Sequence, residues 1–434
     1  MSEKDCPPRV KLLALVDAGE HVPHLRECEK CAKFVSTATA AVKAFTDRTE
    51  LQRVLSERLD AVLANTYGSH RVASALYNAT DLHRSIVVRE LLRRAEKYRG
   101  ADPARYLDLT KAAVVVCEEM TSAGHPPEPE LFIEALREQS TALRQRGALD
   151  EALAELERAG ELLPQTRQPE LHRAVLSLYV AIIDAQPDRA KFDEATRLAE
   201  AAWAVLELCG DERRAVLARQ TKAYVLVVEN KFAAALPLLR DVVAELDRAA
   251  GQWATPRDIA VAYTSLAHCL VGVGLYYEGG RAAELAQRLH LEGGGISDAA
   301  RAAHIRARAL AGMGQFDEAQ PEFNRTAEIV FGASLFDEWA IMRLDYVAAA
   351  LAADESADVK AELVTVAQVC LATSANRATV RQRYAAEAMA YLRQLAVRDA
   401  VTSEAVDYVR TYVERNATRP PVKFSPPRGG TFVM

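Results

Sequence analysis

The chain has 434 residues, half of them apolar and 26% charged, with a formal net charge of −6. That length suits two or three domains or one long repeat array, and the composition is that of a soluble globular protein. No basic surplus exists to neutralise phosphates, which excludes a general nucleic-acid binder, and the longest apolar run, the eight residues Tyr346 to Ala353, is too short to span a bilayer.

Ala, Leu, Glu and Arg dominate, and such side chains lose little freedom in a helix, so helix is expected throughout. The N-terminus, MSEKDCPPRV, lacks the apolar core of a signal peptide, and a cytoplasmic location is expected. Three of the seven cysteines fall in residues 1–35, and the other four, Cys117, Cys209, Cys269 and Cys370, sit in helical segments as small apolar residues. The informative stretch is His24-Leu-Arg-Glu-Cys28-Glu-Lys-Cys31. On a helix, His24 and Cys28 share a face, and Cys28 and Cys31 grip from one turn. Zinc takes four nitrogen or sulfur ligands in a tetrahedron, and a helix over 10–16 folds Cys6 back as the fourth. The expected cofactor is therefore Zn2+, held by Cys6, His24, Cys28 and Cys31. His21 is an alternative to His24, and the Cys-x-x-Cys pair alone also suits a redox dithiol or an incidental pair.

A helix followed by His-x-x-x-Cys-x-x-Cys opening the next helix resembles the zinc-binding anti-sigma-factor domain over residues 1–65. The resemblance implies a small helical head that clamps a sigma factor. The gap between Cys6 and His24 is shorter than is usual in that family, and many members continue into a membrane span, whereas this chain continues into repeats.

Leu51, Val54, Leu55, Leu59 and Leu63 recur at helical spacing. His83 to Tyr98 and Pro103 to Met120 read as a helical pair broken at Gly100, so 66–128 is a helical connector, with a degenerate repeat as an open reading. The proline-rich link Gly124-His-Pro-Pro-Glu-Pro places a boundary near 128.

From 129 a repeat begins. Leu149-Asp-Glu-Ala152, Phe192-Asp-Glu-Ala195, Phe232-Ala-Ala-Ala235, Tyr276-Tyr-Glu-Gly279 and Phe316-Asp-Glu-Ala319 share one pattern, with 43, 40, 44 and 40 residues between the small positions. Four residues on come Leu156, Ala199, Leu239, Ala283 and Phe323; three further, Ala159, Ala202, Val242, Ala286 and Thr326. Twelve residues upstream, four of the five carry Ser140, Ala223, Ala267 or Ala307. Antiparallel helices approach closely only where side chains are small, and each hairpin leaves an apolar face for its neighbour to cover. The pattern resembles the tetratricopeptide repeat over 130–332, with Gly314-Gln-Phe316-Asp-Glu-Ala319 as its hinge. The fold expected is all-α: a zinc-stapled head, then an α-solenoid of such hairpins over 129–334. A helical cap follows over 335–416, and a Pro/Gly-rich tail that cannot form helix over 417–434.

No G-x-S-x-G, phosphate loop or H-E-x-x-H occurs, and the paired acids Asp150-Glu151 and Asp317-Glu318 sit where a helix N-terminus favours negative charge, so no enzyme is expected. In a tetratricopeptide stack the first helix of each hairpin lines the concave face. Counting back from the hinges gives Arg137, Thr141 and Arg144, then Gln220 and Tyr224, Thr264 and His268, and finally Arg301, His304 and Arg308; the second repeat, its connection lengthened by Pro187, is out of register. That basic set suits an acidic peptide segment or a chain-end carboxylate, which Arg grips with two donors. The leading expectation is a cytoplasmic regulator whose head binds a sigma factor and whose repeats bind a second partner or sense a signal. The alternative is a repeat adaptor whose zinc knuckle is purely structural.

Overall fold

A computed structural model of the protein describes residues 25, 28–65, 72–186, 189–354, 358–372, 384–392 and 395. Among these residues the architecture is helical. Four helices come first: α1 (Glu29–Asn65), α2 (Val72–Tyr77), α3 (Ser85–Glu96) and α4 (Pro103–Ser122). Six antiparallel hairpins follow: α5 (Pro129–Gln145) with α6 (Leu149–Glu161), α7 (Pro169–Asp184) with α8 (Phe192–Leu208), α9 (Glu212–Val228) with α10 (Phe232–Arg248), α11 (Pro256–Gly272) with α12 (Tyr276–Glu292), α13 (Ile296–Gly312) with α14 (Phe316–Gly332), and α15 (Phe336–Ala353) with α16 (Lys360–Ala372). None of the described helices is long and apolar enough to cross a membrane.

The repeated small and apolar residues are the contacts that close each hairpin. All five hinges open the second helix of a pair, and Ala152, Ala195, Ala235 and Ala319 are fully buried there. Gly279 takes the same place in α12, where a Cβ would fall 2.8 Å from Val271 of α11. The residues four and seven positions on, from Leu156 and Ala159 to Phe323 and Thr326, are buried as well, as are Ser140, Ala223, Ala267 and Ala307 on the facing first helices. In the second hairpin the facing residue is Ala181, fourteen before Ala195 and in one buried cluster with it. The displacement comes from the connection between α7 and α8, longer than the three residues that join α9 to α10, α11 to α12 and α13 to α14.

Successive hairpins lock through the hinge rings. The Phe232 ring lies where a Cβ on Gly272 would be, 2.6 Å away, and the Tyr276 ring stands in the same relation to Gly312, 2.5 Å away. Each of these two rings thus fills a notch at the end of the next hairpin's first helix. At the other end, the apolar face of α1 joins this body: Leu55, Leu59 and Leu63 are buried in one core that runs through α3–α6 to Ile183 of α7.

The stack also curls until its beginning meets its later hairpins. The turn between α3 and α4 reaches the N-termini of α11 and α13, where the Gly100 carbonyl accepts from the Ser297 backbone N–H at 2.9 Å. Beside it, Arg257 pairs with Glu96 at 3.0 Å. A Cβ at residue 100 would fall 2.7 Å from the Asp298 carboxylate and 3.2 Å from the Gly295 Cα, so glycine at 100 eases the close approach of the two backbones.

Gly312→Val should expose the cost of disturbing the ring-in-notch contact. Overpacking of this kind costs roughly 1–3 kcal/mol, more than the ~1 kcal/mol or less that leaving glycine gains in helix propensity. The urea midpoint should fall with an unchanged slope; an equal or higher midpoint would mean the Tyr276 ring moves aside freely.

Candidate functional site

The first helices of the hairpins stand side by side on the inner face and wall a cavity of about 930 Å3. Arg137, Thr141 and Arg144 of α5, Gln220 and Tyr224 of α9, Thr264 of α11 and Arg301 of α13 all line it. Helix α7, out of register in the sequence, adds apolar wall through Val175, Leu178 and Ile182, with Tyr179 beside them and Gln186 just past its end. A signal for α7 existed in Ala181, which sits against the hinge alanine as Ala223 does in the next hairpin.

Eight arginines and six carboxylates line the cavity, and most of that charge is already paired within the wall. Arg301 meets both oxygens of Glu338 on α15, at 2.7 and 2.6 Å, and also bonds Asp298. Arg213 pairs with Asp258 at 3.3 Å and Arg214 with Asp211 at 2.5 Å. Arg99 and Arg137 share Glu138, at 3.4 and 3.2 Å, and the Tyr106 hydroxyl donates to the same carboxylate at 2.6 Å. Burial pushes the Glu138 carboxyl upward, but these two cations and the Tyr106 donor outweigh it and hold Glu138 below the usual range. The Tyr179 ring lies 5.4 Å from the Arg137 guanidinium and holds it by cation–π attraction.

His268, His304 and Arg308 are not among the cavity-lining residues; they knit three first helices together beneath the wall. His304 meets Asp345 of α15 at 2.9 Å, Arg308 meets the same oxygen at 3.5 Å, and Arg308 donates to His268 at 3.3 Å. Burial works against the Asp345 carboxylate, yet the His304 hydrogen bond and the Arg308 charge leave its pKa lowered. His290 of α12 bonds Thr264 at 3.0 Å and so fixes that hydroxyl at the wall.

Of the four predicted zinc ligands, Cys6 and His24 lie outside the described residues. Cys28 and Cys31 sit at the start of α1, in one small apolar cluster with Leu25, Phe34 and Val35. Two thiols on one turn fit half of a tetrahedral zinc site. Among the described residues no group of three or more His, Cys, Asp or Glu is placed to hold a metal ion. The paired acids Asp150-Glu151 and Asp317-Glu318 occupy the first turns of α6 and α14. Cys117, Cys269 and Cys370 are buried as expected, whereas Cys209 is exposed just past the end of α8.

No family model matches the sequence, and no curated protein matches it. Among solved structures, the chain is similar over 84% of its length to a Rap protein complexed with competence and sporulation factor, at 13% identity and a TM-score of 0.50, covering 99% of that chain. It is similar over the same share to the apo form of RapI, at 13% identity and a TM-score of 0.44, covering 99% of that chain. A third is a STAND (signal transduction ATPase with numerous domains) protein with a tetratricopeptide repeat sensor from Pyrococcus horikoshii, at 11% identity, 84% coverage of this chain and a TM-score of 0.49. The chain spans about half of that protein, 52% of its length. Identities this low speak to fold, and the fold is the tetratricopeptide-like α-solenoid read from the hinges.

The network under the wall gives a pH signature. Burial first, and then the Arg308 charge, pull His268 from 6.5 to about 4. The unfolded chain takes up its proton near 6.5, the folded chain only near 4, so protons favour unfolding between those values. Stability should fall as the pH drops through that window, by roughly 2–3 kcal/mol from this group. Urea unfolding at pH 7, 6 and 5 should show His268→Gln with a visibly flatter dependence than the parent; parallel curves would remove His268 from the account.

Proposed function

We propose that this chain is a non-catalytic interaction scaffold whose concave cavity takes a short acidic segment of a protein or peptide partner, with a zinc-stapled head as its structural cap. The observation that carries it is the wall itself: first helices of successive hairpins face one space, and the α3–α4 turn draws the stack around it through Gly100 and Ser297. A volume of about 930 Å3 is at the upper end of ligand pockets, which run to roughly 1,000 Å3, and admits a few residues of extended chain. Apolar α7 side chains beside polar α5 and α9 side chains suit a peptide with mixed side chains. The Rap protein of the same fold is a complex with competence and sporulation factor, a precedent for ligand binding on such a scaffold.

For the head, the Cys28–Cys31 turn supports a Zn2+ completed by Cys6 and His24, which would hold together a segment too small to fold on its own core. The second reading, a head that clamps a sigma factor, rests on the His-x-x-x-Cys-x-x-Cys motif. The structural cap is preferred because the apolar stripe Leu55, Leu59 and Leu63 of α1 is already buried against the body. A clamp needs apolar helix surface for its partner.

Val261→Trp places a bulky ring in the cavity from the wall of α11. Proteins and peptides retained by the full chain from an extract of its native host should drop at least tenfold with this variant; equal retention would move the binding surface elsewhere. Freshly reduced protein should contain about one zinc per chain, and Cys31→Ser should remove it. Elemental analysis that finds no zinc in the parent would end the staple.

A further inference from the structure

Among the described residues, the cavity wall holds one partly buried cation with no opposite charge paired to it. Arg144, near the C-terminal end of α5, lines the cavity, and no carboxylate among the described residues pairs with it. Each of the neighbouring arginines has such a partner: Arg99 and Arg137 hold Glu138, Arg301 holds Glu338, and Arg257 holds Glu96. Arg146, the other unpaired arginine of the lining, is exposed just past the end of α5, where water serves it. Arg144 is half-buried, and the cations Arg301 and Arg99 of the same wall repel it. Burial, together with those two cations, holds its guanidinium below the ordinary value.

A partly desolvated cation that shares a wall with two others carries a cost, and an anion that enters offsets it. The neighbours select the anion. Thr141 lies one turn back on α5, Gln145 follows Arg144 with its Oε1 buried and unbonded, and Gln220 and Tyr224 of α9 complete the polar side of the cavity. Leu178 and Ile182 of α7 supply its apolar side. Gln145 and Gln220 carry amide donors and acceptors suited to a peptide backbone, and the α7 pair suits uncharged side chains.

We infer that Arg144 is the subsite for a single peptide carboxylate, presented by an otherwise uncharged segment lying between α5, α7 and α9. This rests on the scaffold reading above and narrows it: with the other wall arginines held in pairs, save the solvent-exposed Arg146, a polyacidic run gains little over one well-placed acid. The carboxylate comes from the chain end or from an acidic side chain.

The test uses the full-length protein and pools of pentapeptides built from uncharged residues. One pool ends in an amide and has no acid, one ends in a free carboxylate, one is an amide with a single internal Glu, and one is an amide with three. A charge-assisted, two-donor contact should favour at least one single-carboxylate pool over the uncharged pool by roughly ten- to a hundredfold, and whichever is favoured identifies the source. Three Glu residues should bind no better than one. Arg144→Gln should bring the favoured pool down to the uncharged level, and Arg144→Lys should keep part of the preference. Arg144→Gln should also melt no lower than the parent, since an unpaired desolvated charge is removed, so its loss of binding is not a loss of fold. Equal retention of charged and uncharged pools, or an unchanged preference in Arg144→Gln, overturns the subsite while leaving the scaffold standing. If no pool binds, or if Val261→Trp leaves all binding intact, the cavity reading falls and the subsite with it.

Discussion

Every hairpin in this chain has an apolar face that it cannot bury by itself, and the geometry of covering that face governs the rest of the molecule. Two helices meet closely where Ala235 or Gly279 removes the obstacle, and the ring at the hinge then has nowhere to go but outward. It finds the next hairpin, where Gly272 or Gly312 leaves a notch of matching size. The contact is made at two successive hairpin junctions with nearly the same geometry, and regular stacking of this kind curves a solenoid. A steadily bending stack of this length returns on itself, and the α3–α4 turn meets α11 and α13 where the Gly100 carbonyl receives the Ser297 N–H. The cavity is a consequence of the packing that holds the hairpins together.

The hinges were legible because their physics is local and repeats. A small residue, a ring or Leu, and two further small or apolar positions recur at fixed offsets, and one sequence carries five copies of the same requirement. The second hairpin slipped from view for an equally local reason: its longer α7–α8 connection moves Ala181 two positions from the expected offset, so the count from the hinge misses α7 entirely. The meeting of Gly100 with Ser297 had no local signal. A glycine between two helices reads as a break, and only the accumulated curvature of the stack shows that it is also a contact with Asp298.

Charges on the inner face were legible in position and illegible in state. Arg301 lines the cavity and Arg308 lies beneath it, and both are met from α15: Glu338 lies 37 residues after Arg301, and Asp345, which Arg308 shares with His304, lies 41 after His304. The same interval joins Arg89 to Glu128, Arg240 to Glu278 and Arg308 to His268, at 39, 38 and 40 residues. Side chains on equivalent helices of neighbouring hairpins are adjacent in space, so a polar residue finds its partner about one repeat away. An arginine on such a scaffold can be judged from sequence only after the residue one period along has been inspected.

That rule locates the exception. One period after Arg144, forty residues on, stands Asp184 at the end of α7. Asp184 is buried, and its carboxylate is held by Arg189 at 2.7 Å, with Lys191 at 3.8 Å. Both residues belong to the long connection that also puts the second hairpin out of register. The extra chain length therefore has two effects. It shifts the helix pairing of α7 and α8, and it sets two cations of the connection beside the Asp184 carboxylate. Asp184 is thereby held by its own connection, and Arg144 faces the cavity with no carboxylate partner among the described residues.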